Sequence, residues 1–304
     1  MNRSHLLLLS LLFLMASPIY AKDEAVLKLV CSTTQIADFA RQIAGDRCRV
    51  TSILVPGADP HAYQPTPNDV SKVLKADICF ENGMHLEGKN WMSTLAKDAN
   101  KPLVTCTKGI KPLNINEAGA IVQDPHAWFA PSNAAVYVRN ILAAVKEKDE
   151  AGALQYKARA ELFLAQLRVL DGWIRKRFRN IPQQQRILVT SHDAFNYFAR
   201  EYGFRNEAPV GWSTGREVGG GMTPERRRTV VKSISSFGVQ AIFVETSVNP
   251  RLMREIAREA GVVIGGELYS DSMGERGSAG ESYLGMMREN VVTIVAALGK
   301  KVNK

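Results

Sequence analysis

Residues 151–179 read AGALQYKARAELFLAQLRVLDGWIRKRFR, a helix-period stretch in which Phe163, Leu167, Leu170, Ile174 and Phe178 share one face. At a rise of about 1.5 Å per residue such a helix is about 40 Å long, the length of a strut between two lobes. An ordinary long core helix is the competing reading. Outward from it the pattern changes in both directions. On the N-terminal side Leu27–Ser32, Arg49–Leu54, Ile78–Glu81 and Leu103–Cys106 read as strands, interleaved with helices over Gln35–Ile43, Asn68–Lys75 and Trp91–Ala96, and a helix over Asn133–Lys146 follows. On the C-terminal side Arg186–Thr190, Ala241–Glu245 and Val262–Ile264 read as strands, with helices over Ala194–Tyr202, Pro250–Ala260 and Tyr283–Leu298. Strands alternating with helices call for parallel βαβ units. The expected fold is therefore α/β, with two lobes, each a parallel β-sheet flanked by helices, joined by one long rigid linking helix. The expected division is 1–21 as an export signal, 22–147 as the first lobe, 148–181 as the linking helix and 182–304 as the second lobe.

A chain of 304 residues, 45% hydrophobic and 23% charged, has the composition of an ordinary globular protein and exceeds the usual size of a single core. The first residues have another purpose. Arg3 precedes the apolar run Leu6–Ala16, Ser17-Pro18 breaks it, and the small Ala21 stands before Lys22, the pattern of a cleaved export signal. The run is shorter than the roughly 20 residues that cross a bilayer. No cysteine directly follows it, and Cys31 lies further on in a strand-like stretch. A lipid anchor then has no attachment point, and the mature chain is expected in the periplasm as a monomer.

The net charge of +9 falls to +8 once Arg3 leaves with the signal. The basic residues are dispersed, and the single run of three, Arg226-Arg227-Arg228, reads as the exposed face of a helix start. Without a basic patch interleaved with aromatics, nucleic acid is not an expected partner. Cys31, Cys48, Cys79 and Cys106 are widely spaced, contain no CxxC and sit in short β-like runs, which favours buried thiols over disulfides and excludes a zinc ribbon.

The chemistry lies with the histidines. His5 leaves with the signal, and two of the remaining four stand in one motif, Asp59-Pro60-His61 and Asp124-Pro125-His126. Proline fixes its own φ and holds the preceding residue extended, so each imidazole is carried on a stiff loop. The neighbouring carboxylate is placed to accept the second ring N–H, the usual outer partner of a metal-bound histidine. His192 follows the strand Arg186–Thr190, and Asp271 lies in the loop Tyr269-Ser270-Asp271-Ser272. Three imidazoles and one carboxylate suit a borderline divalent ion, zinc or manganese, better than calcium or magnesium. His85, in Asn82-Gly83-Met84-His85, lacks the Asp-Pro setting and reads as exposed or structural. The triple Gly219-Gly220-Gly221 has neither the lysine nor the helix context of a phosphate loop.

At these residues the sequence resembles the TroA-like metal-binding receptors of ABC importers, a group that includes ZnuA, PsaA and TroA, over essentially the whole mature chain. Pro56-Gly57-Ala58-Asp59-Pro60-His61 with Tyr63-Gln64-Pro65-Thr66-Pro67 is similar to the family's first ligand loop. Asp124-Pro125-His126-Ala127-Trp128, Thr190-Ser191-His192-Asp193-Ala194-Phe195 and Gly265 to Ser272 are similar to the second, third and fourth. The resemblance implies His61, His126, His192 and Asp271 as metal ligands, an ion buried between the lobes, limited lobe motion, and docking on an ABC permease in the inner membrane. It divides on the ion. Three imidazoles favour zinc, whereas Tyr269-Ser270-Asp271-Ser272-Met273 is closer to the manganese branch and no His-rich loop precedes the second ligand. Zinc is expected first and manganese second, with iron not separated from them.

Two other functions compete with carriage of a metal. A zinc-dependent hydrolase needs an open coordination position and a base, for which Glu245 is the one nominee, but four protein ligands close the shell and no HExxH is present. A metal-sequestering protein without an importer is the other. The reading is a non-enzymatic receptor.

Overall fold

Four parallel strands make the first sheet in the order β2-β1-β3-β4: β1 Leu27–Cys31, β2 Cys48–Ser52, β3 Ile78–Glu81 and β4 Leu103–Thr105. The two inner strands bury successive residues on both faces, Leu29, Val30 and Cys31 in β1 and Ile78, Cys79 and Phe80 in β3, as parallel sheets covered by helices do. The computed structural model describes residues 26–299 apart from 118–119, 209–222, 240 and 248–249. The expected export signal and Gly219–Gly221 lie outside the described residues. Among those residues no helix is long and apolar enough to cross a membrane.

Helix α1 (Thr34–Ala44) leaves β1 immediately, with the Thr33 hydroxyl accepting the Ile36 N–H at its start and Gly45 at positive φ at its end. Its Ile36, Phe39 and Ile43 are fully buried. Helix α2 (Pro67–Leu74) begins with proline at its first turn, where the missing N–H costs nothing, and with Thr66 and Asp69 capping each other. Helix α3 (Trp91–Asp98) precedes β4, and α4 (Pro131–Lys148) again opens on proline. Because β1 leads to β2 on one side and the chain returns to β3 on the other, the strand order reverses between β1 and β3. Open α/β sheets bind ligands beyond the carboxyl ends of the strands at such a point.

The stretch that suggested a strut forms α5, Ala153–Phe178, 26 residues long. Tyr156, Phe163, Leu167, Leu170, Ile174 and Phe178 are buried along one side of it, the face read from the sequence. It packs on α1 and α4 at one end, and at the other on α6 (Asn196–Tyr202) and α9 (Tyr283–Leu298). One apolar cluster runs from Leu29 and Phe39 through α5 to Phe243, Leu268 and Tyr283. A shared core of this kind opposes hinge motion between the lobes.

In the second half β7 (Ile187–Val189) pairs in parallel with β8 (Arg205–Glu207), and β9 (Ala241–Glu245) with β10 (Val263–Leu268). β7 lies against β9, and among the described residues the second half carries two parallel pairs, in keeping with the expected parallel strands. Helices α7 (Pro224–Ser236) and α8 (Pro250–Glu259) flank β9. In the arginine run, Arg227 bridges to Glu255 and Glu259 of α8, and Arg228 pairs with Glu225. Three strands are absent from the sequence reading: β8, and the antiparallel hairpin of β5 (Asn114–Glu117) with β6 (Ala120–Gln123). All four cysteines are buried thiols, as expected.

Candidate metal centre

The four residues singled out in the sequence converge. One ligand atom from each of His61, His126, His192 and Asp271 lies within 4.8 Å of the others. His61 Nε2 is 3.3 Å from His126 Nε2, His126 Nε2 is 3.5 Å from Asp271 Oδ1, and His192 Nε2 is 3.4 Å from Asp271 Oδ2. A tetrahedral zinc shell with bonds of about 2.0–2.1 Å has edges of about 3.3–3.4 Å between its donor atoms. The three observed separations are of that size.

Each ligand loop has its own cause. The loop after β2 is held from α3 and from the segment after β3: Trp91 Nε1 donates to the Pro60 carbonyl at 3.1 Å, and Gly88 lies against the His61 backbone. Gly88 has φ +48, and a Cβ there would meet the His61 carbonyl oxygen at 2.3 Å, so no larger residue fits. Tyr63, two residues past His61, donates to the Asp69 cap at 2.7 Å. The second loop is held by Asn82, whose Nδ2 donates to the Pro125 carbonyl at 3.0 Å. Asn82 is in turn fixed by Tyr137 at its Oδ1 and by the buried Glu87 at its N–H. Exposed His85 lies on this supporting segment, outside the cluster, as expected.

Two of the imidazoles share one device. Asp124 Oδ1 accepts both the backbone N–H of His126 (2.9 Å) and its ring Nδ1–H (2.8 Å). Glu245 Oε1 accepts the backbone N–H of His192 (3.1 Å) and the Ser191 hydroxyl (2.9 Å), while its Oε2 stands 2.7 Å from His192 Nδ1, in a geometry too bent for a good hydrogen bond. In both cases a carboxylate stands behind Nδ1 and Nε2 faces the rest of the cluster; for His126 the Nδ1–H bond fixes the tautomer, as an outer carboxylate does for a metal-bound histidine. Asp59 departs from the expectation. It accepts the backbone N–H of His61 at 2.8 Å, a two-residue Asx turn that uses its carboxylate on the main chain and not on the ring. Glu245, read from the sequence as orienting a ligand or satisfying local backbone donors, accepts the His192 backbone N–H and stands beside its ring.

The electrostatics match a site built for a cation. Asp271 is fully buried, and neither of its oxygens has a hydrogen-bond partner. Burial opposes its charge, but His192 and His126 outweigh it and hold the carboxyl well below the usual range. For His126, burial works against protonation, yet Asp124 and Asp271 raise it to about 9. His192 rises well above its ordinary value against the same opposition, through Glu245 and Asp271. His61 moves the other way, to about 4, mainly by burial. A buried carboxylate with both oxygens unsatisfied is costly unless something positive completes it.

An α/β fold built on one long helix, with three imidazoles and a carboxylate gathered in one buried cluster, has the features of a class of protein: the solute receptors of metal importers. The chain belongs to the family described as zinc-uptake complex component A, periplasmic, whose model it matches over residues 29–297. It is 34% identical to the manganese ABC transporter substrate-binding lipoprotein PsaA of Streptococcus mitis, with 97% of each chain covered. To the iron-binding protein YfeA of Yersinia pestis it is 37% identical, covering 90% of this chain and 86% of that one. The structure of the periplasmic zinc binding protein TroA from Treponema pallidum superposes with a TM-score of 0.81 at 29% identity, covering 90% of this chain and 99% of that one. The protein is thus a substrate-binding component of a metal ABC transporter and not an enzyme, which removes the hydrolase reading.

Proposed function

We propose that His61, His126, His192 and Asp271 hold one divalent transition-metal ion, zinc most tightly and manganese second, and that the chain delivers it from the periplasm to an ABC permease in the inner membrane. The observation that carries this reading is the pair of unpartnered, fully buried Asp271 oxygens, each 3.4–3.5 Å from the Nε2 of a different histidine. The ion is cargo: it neutralises Asp271 and supplies the partner that no protein donor does. On this reading 22–147 and 182–304 are the two lobes and 148–181 the link, and the chain works as a monomer.

Zinc comes first on donor chemistry. Three imidazole nitrogens rank zinc above manganese and iron(II) in intrinsic affinity. The relatives are named for manganese, iron and zinc, so the family does not itself choose among them. Both Asp271 oxygens face the other ligands, which leaves room for a fifth donor and gives manganese a workable shell. Competition between zinc and manganese at equal concentration, read as metal content by mass spectrometry, tests the order. The expected result is zinc occupancy; manganese occupancy would reverse it.

A further inference from the structure

The ligands divide by lobe, His61 and His126 from the first, His192 and Asp271 from the second, so an ion held by all four leaves only when the two pairs separate. Side-chain hydrogen bonds cross between the lobes at the ligand loops themselves. Asn196, at the start of α6, donates through Nδ2 both to Asp193 O at 2.9 Å, in the His192 loop, and to Asp124 Oδ2 at 3.1 Å, the carboxylate that orients His126. Its own Oδ1 is fixed by Asn206 Nδ2 at 3.0 Å, which sets the direction of the amide. The Ser272 hydroxyl, next to Asp271, accepts the Gly57 N–H at 2.8 Å, in the loop that leads to His61. Asn196 and Ser272 thus each tie a second-lobe ligand loop to a first-lobe one, and the Tyr197 hydroxyl, one residue beyond Asn196, also donates to the Asp124 carbonyl at 3.0 Å.

We infer that Asn196 and Ser272 are latches, positioning residues that hold the two ligand pairs together and set the rate at which the ion leaves. The inference rests on the metal-site reading above. A bond that exists only while the lobes are closed favours the closed state by its own free energy, and removing it raises the population from which the ion escapes. Asn196 is the stronger latch because its acceptor is a carboxylate. Neither residue touches the ion, so their loss leaves the ligand set complete.

Stopped-flow transfer of zinc from the full chain to an excess chelator tests this, alongside the melting temperature of the metal-free protein. In Asn196→Ala, release is expected to be about tenfold faster, equivalent to about 1.4 kcal/mol. Asn196→Asp, which sets a carboxylate against Asp124, should exceed it, and Ser272→Ala should show a smaller gain. The metal-free melting temperatures should stay near that of the unaltered chain, and cobalt(II) loaded into Asn196→Ala should show a shifted visible spectrum as His126 loses its fixed orientation. Unchanged release in both Asn196 variants overturns the latch, as does faster release that only tracks a lower metal-free melting temperature. His192→Ala serves as the separate control: if it holds zinc like the unaltered chain, the site reading itself fails.

Discussion

Asp124 takes both the backbone N–H and the ring Nδ1–H of His126 on one oxygen, at 2.9 and 2.8 Å. One carboxylate therefore sets the loop conformation and the tautomer together. Glu245, 53 residues from His192, divides the same two places between its oxygens: Oε1 accepts the backbone N–H, and Oε2 stands 2.7 Å from the ring Nδ1.

Replacing Asp124 or Glu245 with alanine is expected to lower zinc affinity about 10- to 100-fold, the range typical of the carboxylates behind metal-bound histidines. Asp59→Ala should cost less, since Asp59 holds only main-chain groups at His61. Titration calorimetry with a competing chelator measures all three, and an equal loss in each would show that the ring contact is irrelevant.

Metal binding is expected to release protons at neutral pH. His126, raised to about 9, and His192, raised well above its ordinary value, are protonated in the metal-free protein at pH 7, whereas His61, lowered to about 4, is not. The ion must displace the first two protons, so apparent affinity rises with pH towards about 9. The sign for the metal-free fold is opposite. The raised histidines stabilise it fully below their unfolded value near 6.5, and that contribution is lost as pH climbs through about 9. Calorimetry in buffers of differing ionisation enthalpy counts the protons, and a count of zero would contradict the assignment.

Gly88→Ala should disturb His61 although it is not a ligand. The added Cβ meets the His61 carbonyl, and the backbone there is at φ +48, so the first ligand loop must shift. Zinc affinity is expected to fall by about tenfold or more, in the range of lost ligand support. Gly109→Ala is the control: Gly109 also has positive φ, at +91, but a Cβ there meets nothing within 4 Å, and zinc affinity should not change.

Much of the fold is legible in the sequence. The strands Ile78–Glu81 and Ala241–Glu245 and the helix Tyr283–Leu298 fall where apolar runs and helical periodicity place them. The His61 and His126 loops are legible because Asp-Pro-His is a local conformational device, readable without knowing what it faces, whereas His192 and Asp271 are placed only by following strands of the second half. The hairpin Asn114–Glu117 with Ala120–Gln123 is not legible, since asparagine and glutamate are poor strand formers and its alternation is short. β8, with sequence Arg-Asn-Glu, is a strand only because β7 offers it a ladder. Asn82, Gly88 and Asn196 carry no motif at all. Their roles arise from contacts between segments up to 72 residues apart, which no local pattern records.

The central claim is tested most directly by the zinc content of the unaltered chain and of Asp271→Ala, each loaded with zinc and freed of excess. The account predicts one tightly held ion per chain in the first and its loss in the second, because the buried carboxylate is the only anionic donor among the four. An Asp271→Ala chain that retains one zinc ion at unchanged affinity would contradict it.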